Sequence, residues 1–339
     1  MTMRYTKVSL HMTTLISDPH KWGDSRNHAA ISPNCRFVAV RVLSHFDYSD
    51  ERYEKVYVYS DAGNELTSFR SPHGGEEGII FWPDNQHLLI PGYDFGKQKI
   101  TVMQRSLRDG SLRFPFQHTC LEDTSQHIIG SSKDGHYIAG WSSSPGNDIK
   151  CWYYDTFIQK LVIRLEYALK AVFSDNGKFA FFTSGYSYAS FGDTNHYLLN
   201  LTTNEKSRPQ NEKAWRTPSQ GQETFLCFSK DSNYCLFSSP SGIISRTLPD
   251  LQNIRIANLE TETFSCGNAS EDGKIFVLGC VNGDIYILSA DDLQVIGHYF
   301  SGSSSPWEAT IHHIQMSTDN RSVIAVNRNT ISIYRLEYS

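Results

Sequence analysis

Several motifs that would assign a chemistry are missing from this chain of 339 residues. It has no G-x-S-x-G nucleophile elbow, no glycine-rich phosphate loop closed by a lysine, and no paired Cys/His spacing typical of zinc. Runs of lysine or arginine are also absent, and the net charge of −5 is spread along the chain. We therefore expect no metal ion, no cofactor and no nucleic-acid partner.

Long apolar runs are absent as well. No stretch approaches the ~18 apolar residues of a membrane span, and the first residues lack the apolar core and the cleavage site of a signal peptide. Seven cysteines occur, none of them in a C-x-x-C pair, and most fall within predicted strands. These features predict a cytoplasmic protein without membrane contact, whose thiols are buried and reduced.

A repeated unit of four short strands runs through the chain. It is clearest at residues 263–300, where the turn Ser270-Glu-Asp-Gly precedes an apolar strand and an Asn-Gly-Asp turn precedes the next. The strands are rich in β-branched and aromatic residues, and no helical period competes with them. The first turn of each unit is marked by Ser32, Trp82, Ser132, Ser174, Ser229, Ser270 or Ser317. Their spacing of roughly 40–55 residues is the period of propeller blades.

The number of strands predicts how the repeat closes. The last unit holds only three strands, and the alternating segment 3–16 has no partner nearby, so we expect it to supply the fourth. The prediction is an all-β fold, a seven-bladed β-propeller of four-stranded antiparallel blades formed as a single domain by residues 1–339. The predicted blades are approximately 27–70, 77–117, 126–166, 168–210, 223–258, 263–300 and 312–337, the last completed by the N-terminal strand 3–16.

The turns carry a family resemblance. The segments Phe173-Ser-Asp-Asn-Gly-Lys, Phe228-Ser-Lys-Asp-Ser and Ala269-Ser-Glu-Asp-Gly-Lys resemble the F-S-x-D-G-K turn of WD40 repeats. The chain also departs from that pattern, because the Trp-Asp dipeptide is absent, with Tyr154-Asp155 as its nearest equivalent, and Gly297-His298 falls inside a fourth strand. The resemblance implies a degenerate WD40-like propeller that lacks the buried Asp-His-Ser-Trp network of the family.

The two faces of the predicted propeller differ. The turns between first and second strands and between third and fourth strands are tight and share one face, whereas most of the long loops share the other. Loops on a rigid scaffold commonly carry binding residues, and exposed aromatic side chains are frequent interface anchors. The predicted binding residues are His45, Phe46, Tyr48, Lys170, Tyr186, Tyr188, Phe191, Trp215 and Trp307. The alternative for each aromatic residue is that it packs over its own loop.

Polar residues open the first strands around the predicted central channel, on the loop-rich face. His28, His127 and His312 are candidate proton donors or acceptors, with Glu77 and Glu223 orienting them. The alternative is a water-filled channel lined by solvated polar groups. A slip of one residue in the phase of a strand would redirect its side chains.

Two functions follow from these features. The first is a scaffold that binds a protein or peptide partner on the loop-rich face, which the WD40 resemblance and the aromatic loops favour. The second is a small-molecule lyase, isomerase or cyclase with its active site in the funnel of the central channel. The clearest repeat is scaffold in both cases, and the positions to test lie near Thr263, Asn282 and the loop after Phe300.

Overall fold

Short strands alternate with tight turns along the chain and assemble into seven four-stranded antiparallel sheets, which are the blades of a β-propeller. The computed structural model describes residues 7–17, 29–43, 54–70, 79–94, 99–113, 125–143, 149–158, 160–165, 170–183, 197–207, 223–259, 262–302, 309–327 and 330–339. The prediction of an all-β, seven-bladed propeller is confirmed.

The first strand in the chain, β1 (Val8–Ser17), belongs to the last blade, and the blades before it are formed by consecutive strands. Blade 1 comprises β2 (Ala29–Ile31), β3 (Phe37–Leu43), β4 (Glu54–Ser60) and β5 (Glu65–Arg70). Blade 2 comprises β6 (Ile80–Phe81), β7 (His87–Asp94), β8 (Lys99–Ser106) and β9 (Leu112–Arg113). Blade 3 comprises β10 (Ser125–Ser131), β11 (Tyr137–Ser143), β12 (Ile149–Asp155) and β13 (Lys160–Leu165).

The remaining blades repeat this order. Blade 4 comprises β14 (Lys170–Phe173), β15 (Phe179–Thr183), β16 (Tyr197–Asn200) and β17 (Lys206–Ser207). Blade 5 comprises β18 (Thr224–Phe228), β19 (Tyr234–Ser239), β20 (Gly242–Thr247) and β21 (Asn253–Asn258). Blade 6 comprises β22 (Phe264–Ala269), β23 (Ile275–Cys280), β24 (Ile285–Ser289) and β25 (Val295–Tyr299). Blade 7 comprises β26 (His313–Met316), β27 (Ser322–Val326), β28 (Thr330–Tyr338) and β1.

The N-terminal strand completes blade 7, as predicted. The strand order of that sheet is β1-β28-β27-β26, so the first strand of the chain is hydrogen-bonded to the last. The pairing extends from Val8 opposite Tyr338 to Ser17 opposite Thr330, with a register shift between Met12 and Thr14. Pairing with β1 covers the edge of β28 that would otherwise be unpaired. Strand β1 then forms the outer edge of the blade.

The first turn of each blade has a recurring structure that explains why the chain reverses there. Ser270 Oγ donates to Asp272 Oδ1 at 2.7 Å and accepts the backbone N–H of Ile275 at 3.1 Å. The same two bonds recur at Ser32, Ser132, Ser174, Ser229 and Ser317. The third residue after the anchor has a positive φ in each of the seven turns, namely Cys35, Asn85, Gly135, Gly177, Ser232, Gly273 and Asn320. Glycine is favoured at this left-handed position because it has no Cβ to clash with the backbone.

Because strand direction alternates, each blade has two distinct ends. We call the end that carries the first-to-second and third-to-fourth strand turns the turn end. The opposite end, with the second-to-third strand loops and the connections to the next blade, is the loop end. The described chain forms two compact units, one of Met1–Lys21, Ser174–Phe179 and Tyr197–Ser339, the other of Trp22–Phe173 and Ala180–His196. We refer to them as unit 1 and unit 2.

Each unit has an apolar core between the faces of neighbouring blades. In unit 1, Val277 of blade 6 and Val323 of blade 7 belong to one buried cluster. In unit 2, Val58 of blade 1 and Leu88 of blade 2 belong to another. Successive side chains of a strand point to opposite faces of the sheet, so every second residue packs toward the same neighbouring blade. Within the described residues, no helix is long and apolar enough to span a bilayer.

Acidic pH is expected to weaken three of the first turns, those that contain Asp134, Asp231 and Asp319. The hydrogen bond from Ser317 lowers the pKa of Asp319, and the pKa values of Asp134 and Asp231 are also lowered, with burial opposing the hydrogen bonds from Ser132 and Ser229. A folded pKa below the unfolded value contributes stability that is present above about pH 4 and is lost as the pH falls.

The matching measurement is the free energy of unfolding of the wild-type protein and of Asp134→Asn/Asp231→Asn/Asp319→Asn between about pH 5 and pH 2.5. The wild-type protein should lose more stability over that range, since asparagine does not titrate. Asparagine already occupies the equivalent position in two blades, as Asn34 and Asn176, so the variant should fold. Asp250→Asn shows the effect of removing one exposed carboxylate outside the first turns. Equal acid sensitivity of wild type and triple variant would contradict the prediction.

Candidate functional site

The turn end of unit 1 is held together by polar contacts between neighbouring blades. Lys230 Nζ of blade 5 lies 2.5 Å from Asp175 Oδ2 of blade 4 and 2.8 Å from Glu271 Oε1 of blade 6. The backbone N–H of Glu271 donates to Asn320 Oδ1 of blade 7 at 2.8 Å. These groups satisfy one another, so a ligand at this surface would have to replace existing bonds. The arrangement agrees with the interpretation of these turns as scaffold.

The turn end of blade 3, in unit 2, presents two exposed apolar side chains. Phe157 and Ile158 are 70% and 65% exposed. Asp155 Oδ1 accepts both of their backbone N–H groups, at 2.9 and 3.1 Å, and Asp155 Oδ2 lies 3.2 Å from His136 Nε2. The imidazole of His136 stacks on the Phe157 ring with centroids 4.2 Å apart. Hydrogen bonds to Asp155 hold this turn, which presents two apolar side chains, and we use it below as the competing location for a partner.

The aromatic residues predicted to bind a partner lie outside the described residues. They are His45, Phe46, Tyr48, Tyr186, Tyr188, Phe191, Trp215 and Trp307. Lys170 is described, and it opens β14 opposite Thr183 with a half-buried side chain. The binding role of all nine residues remains a prediction.

The predicted channel residues are described only in part. His28 and Glu77 lie outside the described residues, and the structure places the backbone of His127 on β10, opposite Trp141. His312 lies just before β26, half-buried, and its backbone N–H donates to Val326 O at 2.8 Å. Their proposed proton-transfer roles remain predictions.

Glu223, the remaining channel candidate, forms a buried ion pair with Arg246. Both carboxylate oxygens accept from Arg246 Nη2, at 2.6 and 2.8 Å, and Arg246 Nη1 donates to Leu251 O at 2.8 Å. The side chains of Glu223 and Arg246 are 9% and 11% exposed. The ion pair joins the residue just before β18 to β20 of blade 5. The catalytic role of Glu223 remains a prediction. The arginine partner was not anticipated from the sequence.

The Cys235 thiol is not activated as a nucleophile. All six described cysteines are buried. Burial raises the pKa of the Cys235 thiol, and its neighbour Cys227 raises it further, so Cys235 stays protonated at neutral pH. Among the described residues there is also no group of three or more His, Cys, Asp or Glu side chains that could hold a metal ion.

An open cleft of about 310 Å³ lies at the loop end of unit 1, between blades 6 and 7. The described residues that line it are Met12, Gly283, Tyr299, Ser301, Ala309, Ile311, Ala325, Asn327, Thr330, Ser332 and Tyr334. None of these side chains carries a formal charge. Tyr299 and Tyr334 form a T-shaped pair with ring centroids 4.8 Å apart. Burial raises the pKa of Tyr334 to about 12, against a hydrogen bond from Ser332, so its hydroxyl remains neutral.

The wall of this cleft in blade 6 is built on Asp284. This carboxylate is 2% exposed, and it accepts the backbone N–H of Ser301 at 2.8 Å. It also accepts Asn282 Nδ2 at 3.2 Å and lies 3.3 Å from His298 Nε2. The carboxylate of Asp284 is therefore buried in the wall, where it holds the backbone at Ser301, and it does not line the cleft.

The wall in blade 7 is fixed by backbone capping and by the N-terminal strand. Asn327 Oδ1 accepts both the backbone N–H of Thr330 at 2.7 Å and its hydroxyl at 2.9 Å, which holds the turn between β27 and β28. Met12 of β1 pairs with Tyr334 of β28 in the sheet register. Strand β1 therefore closes the blade and also contributes a side chain to the cleft.

Two lining residues of the cleft lie beside positions that the repeat pattern offers for testing. Asn282 and the loop after Phe300 were proposed as positions to test, and they border the cleft through Gly283 and Ser301. Met12, Tyr299 and Tyr334 were not singled out. Their shared position depends on the register between β1 and β28 and on the packing of two blades, which no local pattern reveals.

A second cleft, of about 370 Å³, lies at the turn end of blade 7. Its lining includes the charged residues Asp319, Arg321, Arg335 and Glu337. Charges of both signs line this cleft and offer ion pairs to a charged ligand, in contrast to the uncharged cleft at the loop end.

No protein-family model matches the sequence, and no curated protein matches it.

Proposed function

We propose that this protein is a degenerate WD40-like propeller scaffold that binds a protein or peptide partner at its loop end. The observation that carries the proposal is the uncharged cleft between blades 6 and 7, with its Tyr299–Tyr334 pair. Desolvated pockets that accept one anchoring side chain are typical of the energetic centre of protein interfaces.

The size of the cleft supports a peptide more than a whole small molecule. Its volume of about 310 Å³ is at the lower limit of the roughly 300–1,000 Å³ range of ligand pockets. An open cleft of this size accommodates one large side chain, while the rest of a partner lies across the neighbouring surface. Phe300, which is 73% exposed at the loop end of blade 6, offers further apolar contact area there.

A small-molecule lyase, isomerase or cyclase in the central channel is the alternative, and the described residues support it less. Glu223, which would orient a catalytic histidine, is engaged by Arg246 through both oxygens. Releasing it to orient a histidine would leave the buried guanidinium without its counter-charge. We therefore rank binding before catalysis.

Selection of peptides from a random library for binding to the full chain tests the proposal. Selected peptides should bind the wild-type protein and bind Ser301→Lys about tenfold more weakly, because a cationic side chain at the rim obstructs an uncharged cleft. Phe157→Ser, at the turn end of blade 3, should leave their affinity unchanged. If Phe157→Ser abolishes binding and Ser301→Lys does not, the partner binds the turn end and the proposal is wrong.

A further inference from the structure

The chemistry of the cleft between blades 6 and 7 restricts what can occupy it. We infer that it recognises one uncharged aromatic side chain of the partner. This inference rests on the proposed function, and it specifies the anchor residue that the partner must carry.

Charge is the first restriction. The lining residues that the structure describes contribute hydroxyl, amide, thioether and hydrocarbon groups only. The carboxylate of Asp284, in the wall, already accepts hydrogen bonds from Ser301 and Asn282 and lies 3.3 Å from His298 Nε2. A carboxylate, phosphate or ammonium group entering the cleft would lose hydration without gaining an ionic partner. Ligands that place a charge in the cleft are therefore disfavoured.

Ring geometry is the second restriction. Tyr299 and Tyr334 meet edge to face at an interplanar angle of 65°, and both line the cleft. Aromatic rings prefer edge-to-face or offset contacts, and such pairs add to the stabilisation from burial alone. A third ring can extend this pair, with Ile311 and Ala325 supplying apolar contacts. An aliphatic side chain of similar size gains the burial but not the ring contacts.

The rim suits a peptide backbone. Ser301 and Thr330 place hydroxyl groups at the cleft, and each donates its proton within the wall, to Asn282 O at 2.8 Å and to Asn327 Oδ1 at 2.9 Å, so that its oxygen can still accept a hydrogen bond. A backbone N–H beside an anchoring residue requires such an acceptor when it leaves water. The cleft thus combines an apolar interior for a side chain with polar groups for the adjoining main chain.

Occupation of the cleft should also stabilise blade closure. Met12 belongs to the N-terminal strand, Tyr334 to its partner strand and Tyr299 to the neighbouring blade. A side chain that contacts all three binds only when β1 is paired. Binding to the closed form alone raises the melting temperature by mass action.

Three capped amino acids separate these effects: N-acetyl-phenylalaninamide, N-acetyl-leucinamide and N-acetyl-phenylalanine, which carries a free carboxylate. The first should bind with a Kd on the order of 1 mM, as expected for so small a ligand. The other two should bind at least about fivefold more weakly. The readout is the NMR signal of the Met12 methyl group in protein labelled at the methionine methyls, which reports on the cleft and not on the charged cleft at the turn end of blade 7.

Met12→Glu supplies the test of location. It introduces a carboxylate at the rim and should weaken binding of the amide probe by at least about fivefold. Binding is measured here by the increase in melting temperature that the probe causes. Val295→Glu is the matched control, because Val295 is 43% exposed on an outer strand of unit 1 and Met12 is 45% exposed. Tighter binding of the carboxylate probe, or equal effects of the two glutamates, would overturn the inference.

The failures of the inference and of the proposed function can be told apart. Peptides that bind at the loop end but are insensitive to Met12→Glu would support the scaffold function and overturn the aromatic cleft. Probe binding that is lost in Met12→Glu, together with a peptide library that yields no binder, would support the chemistry of the cleft and overturn the scaffold function.

Discussion

Replacing Glu223 by glutamine is expected to lower the free energy of unfolding by about 3–5 kcal/mol. The substitution keeps the shape of the side chain but leaves the guanidinium of Arg246 buried without its counter-charge. Arg246 is 11% exposed, so water cannot take over the role of the carboxylate. Chemical denaturation of wild type and variant, followed by tryptophan fluorescence, measures the difference.

Glu337→Gln is the matched control. Glu337 also lies beside a basic side chain, with Oε2 3.5 Å from His11 Nε2, but both side chains are largely exposed, at 66% and 60%. Exposed pairs contribute about 0–1 kcal/mol, so the control should be nearly neutral. A loss at Glu223→Gln as small as that at Glu337→Gln would show that the pair in blade 5 is not desolvated.

The double variant Glu223→Leu/Arg246→Met should recover much of the stability lost by Glu223→Gln. Removing both charges eliminates the uncompensated guanidinium, and apolar residues can fill a similar volume. The effects of the two single substitutions should therefore be strongly non-additive. Additive losses would indicate that the two side chains act independently.

Deletion of residues 1–17 is expected to have the largest effect of any change considered. It removes β1, which pairs with β28 from Val8 to Ser17, and it uncovers the buried cluster to which Val8 belongs. The exposed edge of β28 is then a template for pairing with other chains. We expect a loss of more than about 5 kcal/mol, beyond the range of most single substitutions, with aggregation as the visible outcome.

Size-exclusion chromatography and thermal unfolding measure this loss. Deletion of residues 1–6 alone leaves β1 intact and should give a monodisperse protein with the melting temperature of the full chain. Addition of a synthetic peptide of residues 7–17 to the longer deletion should restore part of the stability, because closure of blade 7 by β1 depends on non-covalent pairing. A deletion of residues 1–17 that melts like the full chain would contradict the role of β1.

Much of the fold could be predicted from local patterns. The first turns combine a seryl hydroxyl, an Asx side chain and a left-handed residue within six positions, and these interactions form wherever such residues occur in sequence. The segment 3–16 was assigned to the last blade because it was the only strand left without a partner. Closure of the last blade could therefore be predicted from the number of strands in each repeated unit and the one strand left over.

The candidate site could be predicted only in part. Gly283 and Ser301 border positions that the repeat pattern singled out, because loop ends follow from strand direction. Met12 lies far from them in the chain, and its place in the cleft depends on its pairing with Tyr334 after a register shift. A shift of one residue would turn Met12 to the other face of the sheet, so strand phase alone could not place it.

The amino-acid sequence by itself determined the strands, the turns, the number of blades and the strand that closes the last one, because each depends on residues near one another or on their alternation. Tertiary structure decided which side chains meet across strands and blades. It alone joined Glu223 to Arg246, removed the charge of Asp284 from the cleft, and brought Met12, Tyr299 and Tyr334 together. Such contacts depend on register and on packing between sheets, where a displacement of one residue changes every partner.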